Sequence, residues 1–294
     1  MEPTLAQSVF KTLAFFDIFH YPLTREELFQ YLWQAPQNLS YADFVSQFEH
    51  ILHTDLIESV EAKDGYYFFT GRSDSIAKRE RKIFYTEEKI KIAKRAARKL
   101  RYLPFVEGMF VCNLLPIVVK PSSDIDVLII AKEHRIWLVR FLSSVVLTIF
   151  CLRPTNFGLH FFSKNTQKSM TDKICLSFYL TKSHLDLSAI CVEGDDVYQA
   201  YWNTTLVPLY DRAAVYPQFQ KQNTWVQKYV SNTESPYQVL SRWKVVDTWY
   251  TRLFKNIGEW IFQASFFENK LRALQLKHLH QNKEAPLLLE KKIL

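Results

Sequence analysis

Apolar positions along this chain recur first at helical spacing, then at strand spacing, then at helical spacing again. Leu5 to Phe16 has the helical rhythm, which Tyr21-Pro22-Leu23 breaks. Thr24-Arg25-Glu26-Glu27 is a capping box predicting a second helix to about Trp33, because Thr24 can cap the first turn while Glu27 reaches back. A third helix is expected from Tyr41 to His53, with Phe44, Phe48, Ile51 and Leu52 on one face. Ile57 to Val60 and Tyr66 to Phe69, joined through Lys63-Asp64-Gly65, predict a β-hairpin. One long helix then runs from Ser75 to Leu103. Ile76, Ile83, Ile90 and Ala97 recur in it every seven residues, with Ala93 and Leu100 on the same side. Pro104 ends that helix and delivers the chain to a run of short apolar segments.

Those segments predict strands at Phe105 to Val111, Ile125 to Ile130, Phe157 to Phe162 and Ile174 to Leu180, with a helix from Glu133 to Leu152 that covers the sheet. Leu185 to Tyr201 reads as helix of mixed character. The acids Glu193, Asp195 and Asp196 in it are expected to be solvated, and Asp211 to pair locally with Arg212. From Pro236 the chain is mostly helix. Val246, Tyr250, Leu253, Ile257, Trp260, Ala264, Phe267, Leu271 and Leu274 form a seam over four heptads that wants a facing helix. The partner can be Asn223 to Val230, the long helix or a second copy of the chain. A membrane surface is the remaining option: Trp249 and Trp260 suit it, whereas Glu259 and Glu268 interrupt the basic face. The tail after His280 is expected to fray.

Three helices followed by a two-stranded wing resemble a winged helix, and charge decides what that unit can do. Residues 1–72 carry four basic side chains, Lys11, Arg25, Lys63 and Arg72, against ten acids. The third helix has no Lys or Arg, so duplex DNA is not expected as a partner and a protein-contact or packing role is. The long helix is the opposite. Residues 78–101 hold eleven Lys or Arg and three Glu, a balance of +8 in a chain whose net charge is +7. It is either a solvated linker or a basic rail that steers an anion such as RNA or a nucleotide. The expected division is 1–72, a basic linker 73–103, a central domain 104–220 and a helical region 221–294.

Composition narrows the chemistry. Only 6 glycines are present, too dispersed for a Walker or dinucleotide loop, which weighs against kinase, P-loop ATPase and Rossmann dehydrogenase activities. Cys112, Cys151, Cys175 and Cys191 form no C-x-x-C pair, so neither a zinc site nor a disulfide framework is indicated and a reducing cytoplasm is expected. No signal peptide is recognised, and the most apolar stretch, Phe141 to Leu152, is too short to span a bilayer. His50 with His53, and His278 with His280, lack the H-E-x-x-H context of a zinc hydrolase.

The chemistry-bearing stretch is Ser122-Ser123-Asp124-Ile125-Asp126-Val127-Leu128-Ile129-Ile130. Alternate strand residues share a face, so Asp124 and Asp126 point the same way and Ile125 points into a core. Two carboxylates at that spacing repel by about 2 kcal/mol at an effective dielectric near 20. A solvated strand end or Asx-turn would carry such a pair; so would a site for Mg2+ or Mn2+, which joins protein carboxylates to substrate phosphates. From Phe105 to Leu180 the order of strand, turn, acidic strand, helix and strand resembles the nucleotidyltransferase superfamily typified by DNA polymerase beta and the minimal nucleotidyltransferases. In that family Gly-Ser precedes the D-x-D strand by about ten residues. Cys112-Asn113 stands there in this chain, with a Cβ where glycine would let a triphosphate approach.

The resemblance implies an α+β fold, with a nucleotidyltransferase-like mixed sheet and helices on one face. It implies metal at Asp124 and Asp126, phosphate binding by Asn113 with Cys112, Leu114 and Ser123, and Asp172 as the nearest substitute for a third, base-type carboxylate that the later strand lacks. The activity it implies is metal-dependent transfer of a nucleoside monophosphate from a nucleoside triphosphate to the hydroxyl of a protein, RNA or small-molecule acceptor. A degenerate version acting as a nucleotide-binding or interaction scaffold is the alternative; a winged-helix transcription regulator is the third.

Overall fold

The computed structural model describes residues 3–112, 119–153, 171–212, 214–232 and 241–281, with side chains as far as 277. The protein is α+β, and among the described residues there are two sheets with helices packed on both. The expected strand at Phe157 to Phe162 lies outside the described residues.

The first unit forms where the capping signals place it. Thr4 caps α1 (Leu5–Asp17) in a reciprocal box with Gln7, and α1 buries Leu5, Val9, Leu13 and Phe16. After a two-residue strand β1 (Leu23–Thr24), Thr24 and Glu27 form the predicted box on α2 (Arg25–Gln30). This helix stops short of Trp33, whose N–H turns to the Thr12 hydroxyl of α1. Ser40 caps α3 (Tyr41–Leu52), which buries Phe44, Phe48 and Ile51. The hairpin pairs β2 (Val60–Lys63) with β3 (Tyr66–Phe69), and β1 adds to β3. Asp64 and Gly65 both take positive φ, 53° and 80°, so the turn holds only those two residues and pairs Lys63 with Tyr66. That register moves the first strand three residues past the expected Ile57 to Val60.

The core of this unit does not close on itself. Ala200, Tyr201, Val226, Tyr229 and Val230, from far down the chain, complete it. Phe15 stacks on Tyr201, and the Tyr201 hydroxyl donates to the Tyr31 carbonyl over 2.7 Å.

Helix α4 (Asp74–Leu100) holds the two halves together, and its basic residues are the means. Arg79 donates two hydrogen bonds to Glu27 and lies between the Tyr21 and Tyr66 rings. Lys82 donates to Phe19, Lys89 to Ser123 and Asp172, Lys94 to Arg242 and Arg101 to Val246. Neither a solvated linker nor a free rail describes these side chains. The seven-residue repeat also breaks once: Ile76, Ile90 and Ala97 are buried, but Ile83 is half exposed where the helix passes from one half to the other.

The central sheet has the order β6-β5-β4-β7. β4 (Val106–Val111) runs antiparallel to β5 (Ile125–Ala131) and to β7 (Val207–Asp211), while β6 (Ile174–Thr181) is parallel to β5 through the crossover helix α5 (Ile136–Ile149). Val127, Ile129, Met109 and Val111 pack on α4 and α5, where Ala93, Ala96 and Ala97 let the long helix lie close. Phe110, Leu128 and Ile130 point the other way, onto Trp202 of α6 (Val197–Thr204) and Val215, Tyr216 and Phe219 of α7 (Val215–Gln222). The sheet is thus covered on both faces, which corrects the expectation of helices on one; a strand as uniformly apolar as β5 needs both faces covered.

Two local expectations also change. Within Leu185 to Tyr201 helix is confined to a 3-10 turn at Ser188–Ile190 and the first residues of α6, which Asp196 caps by accepting from Gln199 N. Asp211 accepts from Val215 N and Tyr216 N at the start of α7, while Arg212 pairs with Asp247 and Glu259. The C-terminal helix is broken into α8 (Trp249–Ile261) and α9 (Ser265–Gln281), so the four-heptad seam is not continuous.

Candidate functional site

Strands β4, β5 and β6 bring three of their ends together at one edge of the sheet. Asp124 and Asp126 lie on the same face as Leu128 and Ile130, as strand alternation requires, and Ile125 enters the opposite core. The parallel register pairs Ile125 with Ile174 and Asp126 with Cys175. Carboxylate oxygens of Asp124 and Asp126 and the Cys175 sulfur all lie within 4.8 Å of one another. Among the described residues this is the group whose donors converge closely enough to hold a metal ion.

A bulge in β6 adds a fourth member. The register slips by one residue between Val127 and Leu128, leaving Ser177 as the extra residue of β6, and its hydroxyl donates to Asp126 Oδ1. Burial and the neighbouring Asp126 charge raise the Asp124 carboxyl above the ordinary aspartate value. The Cys175 thiol is raised too, by burial first and then by both carboxylates. A cation between the acids would relieve that repulsion. The donors fit a hard divalent ion such as Mg2+ or Mn2+ at the two carboxylates, with waters completing the shell. A protonated thiol adds no ligand to either.

No family model, curated protein or solved structure matches the chain. What the site can do rests on its own donors.

The other expected site residues divide. Cys112 directly follows β4, with its N–H donated to the Asp126 carbonyl and its thiol buried in the core that holds Phe110. Burial and the Asp126 charge hold that thiol well above its ordinary value. Ser123 is tied into its own turn: its hydroxyl donates to the Lys120 carbonyl, and its carbonyl accepts from Lys89 over 2.6 Å. Asp172, expected as a substitute base, receives the Lys89 ammonium at 2.8 Å instead and is outside the converging group. It sits at φ 58°, in the left-handed turn that starts β6. Asn113 and Leu114 lie outside the described residues.

Cys175, Ser177 and Lys89 are the site residues that sequence reading missed. Ile125 and Ile174 each open an apolar strand, and aligning those openings in a parallel pair would have placed Cys175 beside Asp126. Ser177 carried no such signal, because a bulge is set by how β6 packs. Lys89 was hidden among eleven basic residues; its one distinction is that it precedes the buried Ile90.

Proposed function

We propose that the protein is a nucleotidyltransferase-like enzyme that uses Mg2+ or Mn2+ at Asp124 and Asp126 to bind a nucleoside triphosphate and transfer a nucleoside monophosphate to an acceptor hydroxyl. The observation that carries this reading is the convergence of the two carboxylates at the mouth of a strand flanked by one antiparallel and one parallel neighbour. The mixed sheet around that strand supports the reading, which rests on the family resemblance. Asp124 and Asp126 would hold the ion, whose charge would neutralise the triphosphate while the acceptor hydroxyl attacks the α-phosphorus in line, the α–β phosphoanhydride bond breaks and pyrophosphate leaves. Ser177, donating to Asp126, would fix the orientation of that carboxylate.

A second reading is favoured by separate observations. The place of a third carboxylate is taken by Cys175 and Ser177, Asp172 is committed to Lys89, and the Cys112 N–H is committed to Asp126. These suit a fold that retains nucleotide binding without turnover and serves as a scaffold. Duplex binding by the N-terminal unit is not proposed, since α3 offers no Lys or Arg.

Calorimetric titration of each of the four nucleoside triphosphates, with and without magnesium, tests the proposal against Asp124→Asn/Asp126→Asn. Saturable binding that needs magnesium and vanishes in the double variant is the expected result, and labelled-nucleotide transfer then separates enzyme from scaffold. No heat with any triphosphate, from protein shown to be folded, would overturn both readings of the site.

A further inference from the structure

Helix α8 is amphipathic in the inverted sense, with its polar stripe turned inward and its apolar stripe turned to the outside. Thr251, Lys255 and Glu259, spaced by four, face the sheet. Lys255 is fully buried and donates to the Val106 carbonyl and to the Tyr210 hydroxyl, the latter at 2.9 Å. Glu259 accepts from Arg212 at 3.3 Å. Gly258 permits this close seat, since a Cβ there would come within 3.3 Å of the Pro104 ring. On the outer side Trp249, Leu253, Phe254, Ile257, Trp260 and Ile261 are exposed, the two tryptophans by 77% and 76%. Trp249 and Trp260 are eleven residues apart, three turns of helix, so both indoles stand on one face about 17 Å apart. The exposed Phe266 continues the surface onto α9.

Charge sorting says what covers this face. Residues 241–277 contain seven Lys or Arg and three acids, Asp247, Glu259 and Glu268. All three acids are turned inward: Asp247 accepts from Tyr210, Glu259 from Arg212, and Glu268 from the N–H groups of Trp137 and Leu138 at the start of α5. Of the bases only Lys255 is buried; Arg242, Lys244, Arg252, Lys270, Arg272 and Lys277 are exposed. Arg101 docks at the α8 N-terminus through the Val246 carbonyl, and Lys270 lies over the Phe266 ring. The two glutamates that would interrupt a basic face in the sequence are therefore absent from the outer surface.

We propose that α8 and the start of α9 form a docking face for an anionic membrane surface, lying in the headgroup layer with Trp249 and Trp260 as interfacial anchors. Exposed aromatics bordered by basic residues match acidic lipid headgroups over an acyl boundary. A second copy of the chain would instead bring two basic surfaces together. No helix among the described residues is long and apolar enough to cross a bilayer, so the association is peripheral. This proposal stands apart from the acid pair and survives or fails without it.

The test is flotation of the full chain with phosphatidylcholine vesicles and with vesicles containing about 30 mol % phosphatidylserine. The expected result is flotation with the anionic vesicles alone, weakened by salt, with a blue shift of tryptophan emission. Trp249→Ser/Trp260→Ser, whose replaced side chains are exposed and whose fold is checked by circular dichroism, should lose about tenfold or more in partitioning. Arg252→Glu/Lys270→Glu should lose the preference for anionic lipid. No flotation of the natural chain overturns the proposal, as does undiminished flotation of the tryptophan variant. A lipid-free dimer or a complex with an acidic protein that shields both indoles overturns it as well, by assigning the face to that partner.

Discussion

Asp126 and Cys175 stand opposite each other in the parallel β5–β6 pair, and Asp124 closes a triangle of donors within 4.8 Å. A third carboxylate can therefore be installed where this chain has a thiol. Cys175→Asp is expected to tighten Mn2+ binding about tenfold, because affinity for a hard cation rises with the charge of its oxygen ligands. Titration followed by the electron paramagnetic resonance of free Mn2+ measures it. An unchanged affinity would mean that ions bound by this protein lie away from Cys175.

The repulsion between the acids has its own signature. The Asp124 carboxyl is raised in the folded protein by burial and by Asp126, so over the interval above the ordinary aspartate value the folded state binds more protons than the unfolded. Its contribution to stability falls as pH rises through that interval. Asp124→Asn should stabilise the divalent-free protein at neutral pH by no more than about 1 kcal/mol, since the group is partly exposed and screened. The gain should shrink at acid pH and reverse when magnesium is supplied. Urea unfolding at several pH values, with and without the ion, reads all three.

How much of this could be read in the chain depended on how local the cause was. The capping box of Thr24 with Glu27, the Asp64-Gly65 turn and the facing of Asp124 and Asp126 are fixed by residues within four positions of one another, and they stand where expected. The two-sided cover of the sheet, the Cys175 and Ser177 contribution to the site, and the tie from Lys89 to Asp172 depend on segments tens of residues apart. α8 is the sharpest case. Its apolar seam was legible, but a periodic pattern says only that two faces differ, and here Tyr210, Asp247 and Arg212 draw the polar face inward.

Lys89 gives a prediction about the base-like acid. Its ammonium is buried and satisfies both the Ser123 carbonyl and Asp172. Asp172→Asn leaves that charge without its counter-ion and should cost about 1–3 kcal/mol, less than a fully buried pair because Asp172 is half exposed. The proposed magnesium-dependent nucleotide binding should survive the change. Denaturation paired with the calorimetric titration separates the two effects; loss of binding at unchanged stability would return Asp172 to the site.

Arg79 makes a matching claim for the long helix. It holds Glu27 through two parallel hydrogen bonds, and Glu27 at the same time accepts from Thr24 N at the start of α2. Arg79→Met should destabilise by about 3–5 kcal/mol, because it strips the partner from a largely buried carboxylate. Arg79→Lys should recover only part of that, since an ammonium has no planar fork to match a carboxylate and stacks poorly between Tyr21 and Tyr66. Equal stability of the lysine variant and the natural protein would show that charge alone, without the fork, holds α4 to the first unit.

Lys255 sets the pH response of the α8 seat. Burial, aided by the Arg212 charge, pushes its ammonium down to about 8 from the ordinary lysine value of 10.5. Between those values the unfolded chain keeps the proton that the folded protein has released, so stability rises with pH across the window. Tyr210, which receives the Lys255 hydrogen bond, is raised by burial and by Asp247, and it stays neutral throughout. The natural protein should therefore gain stability relative to Lys255→Met as pH goes from about 7.5 to 9.5, by an amount limited to about 3 kcal/mol. Guanidinium midpoints for the two proteins at matched ionic strength give the difference directly. A difference that stays flat with pH would mean that Lys255 keeps its proton in the folded state, held by the Val106 carbonyl and the acids of the network.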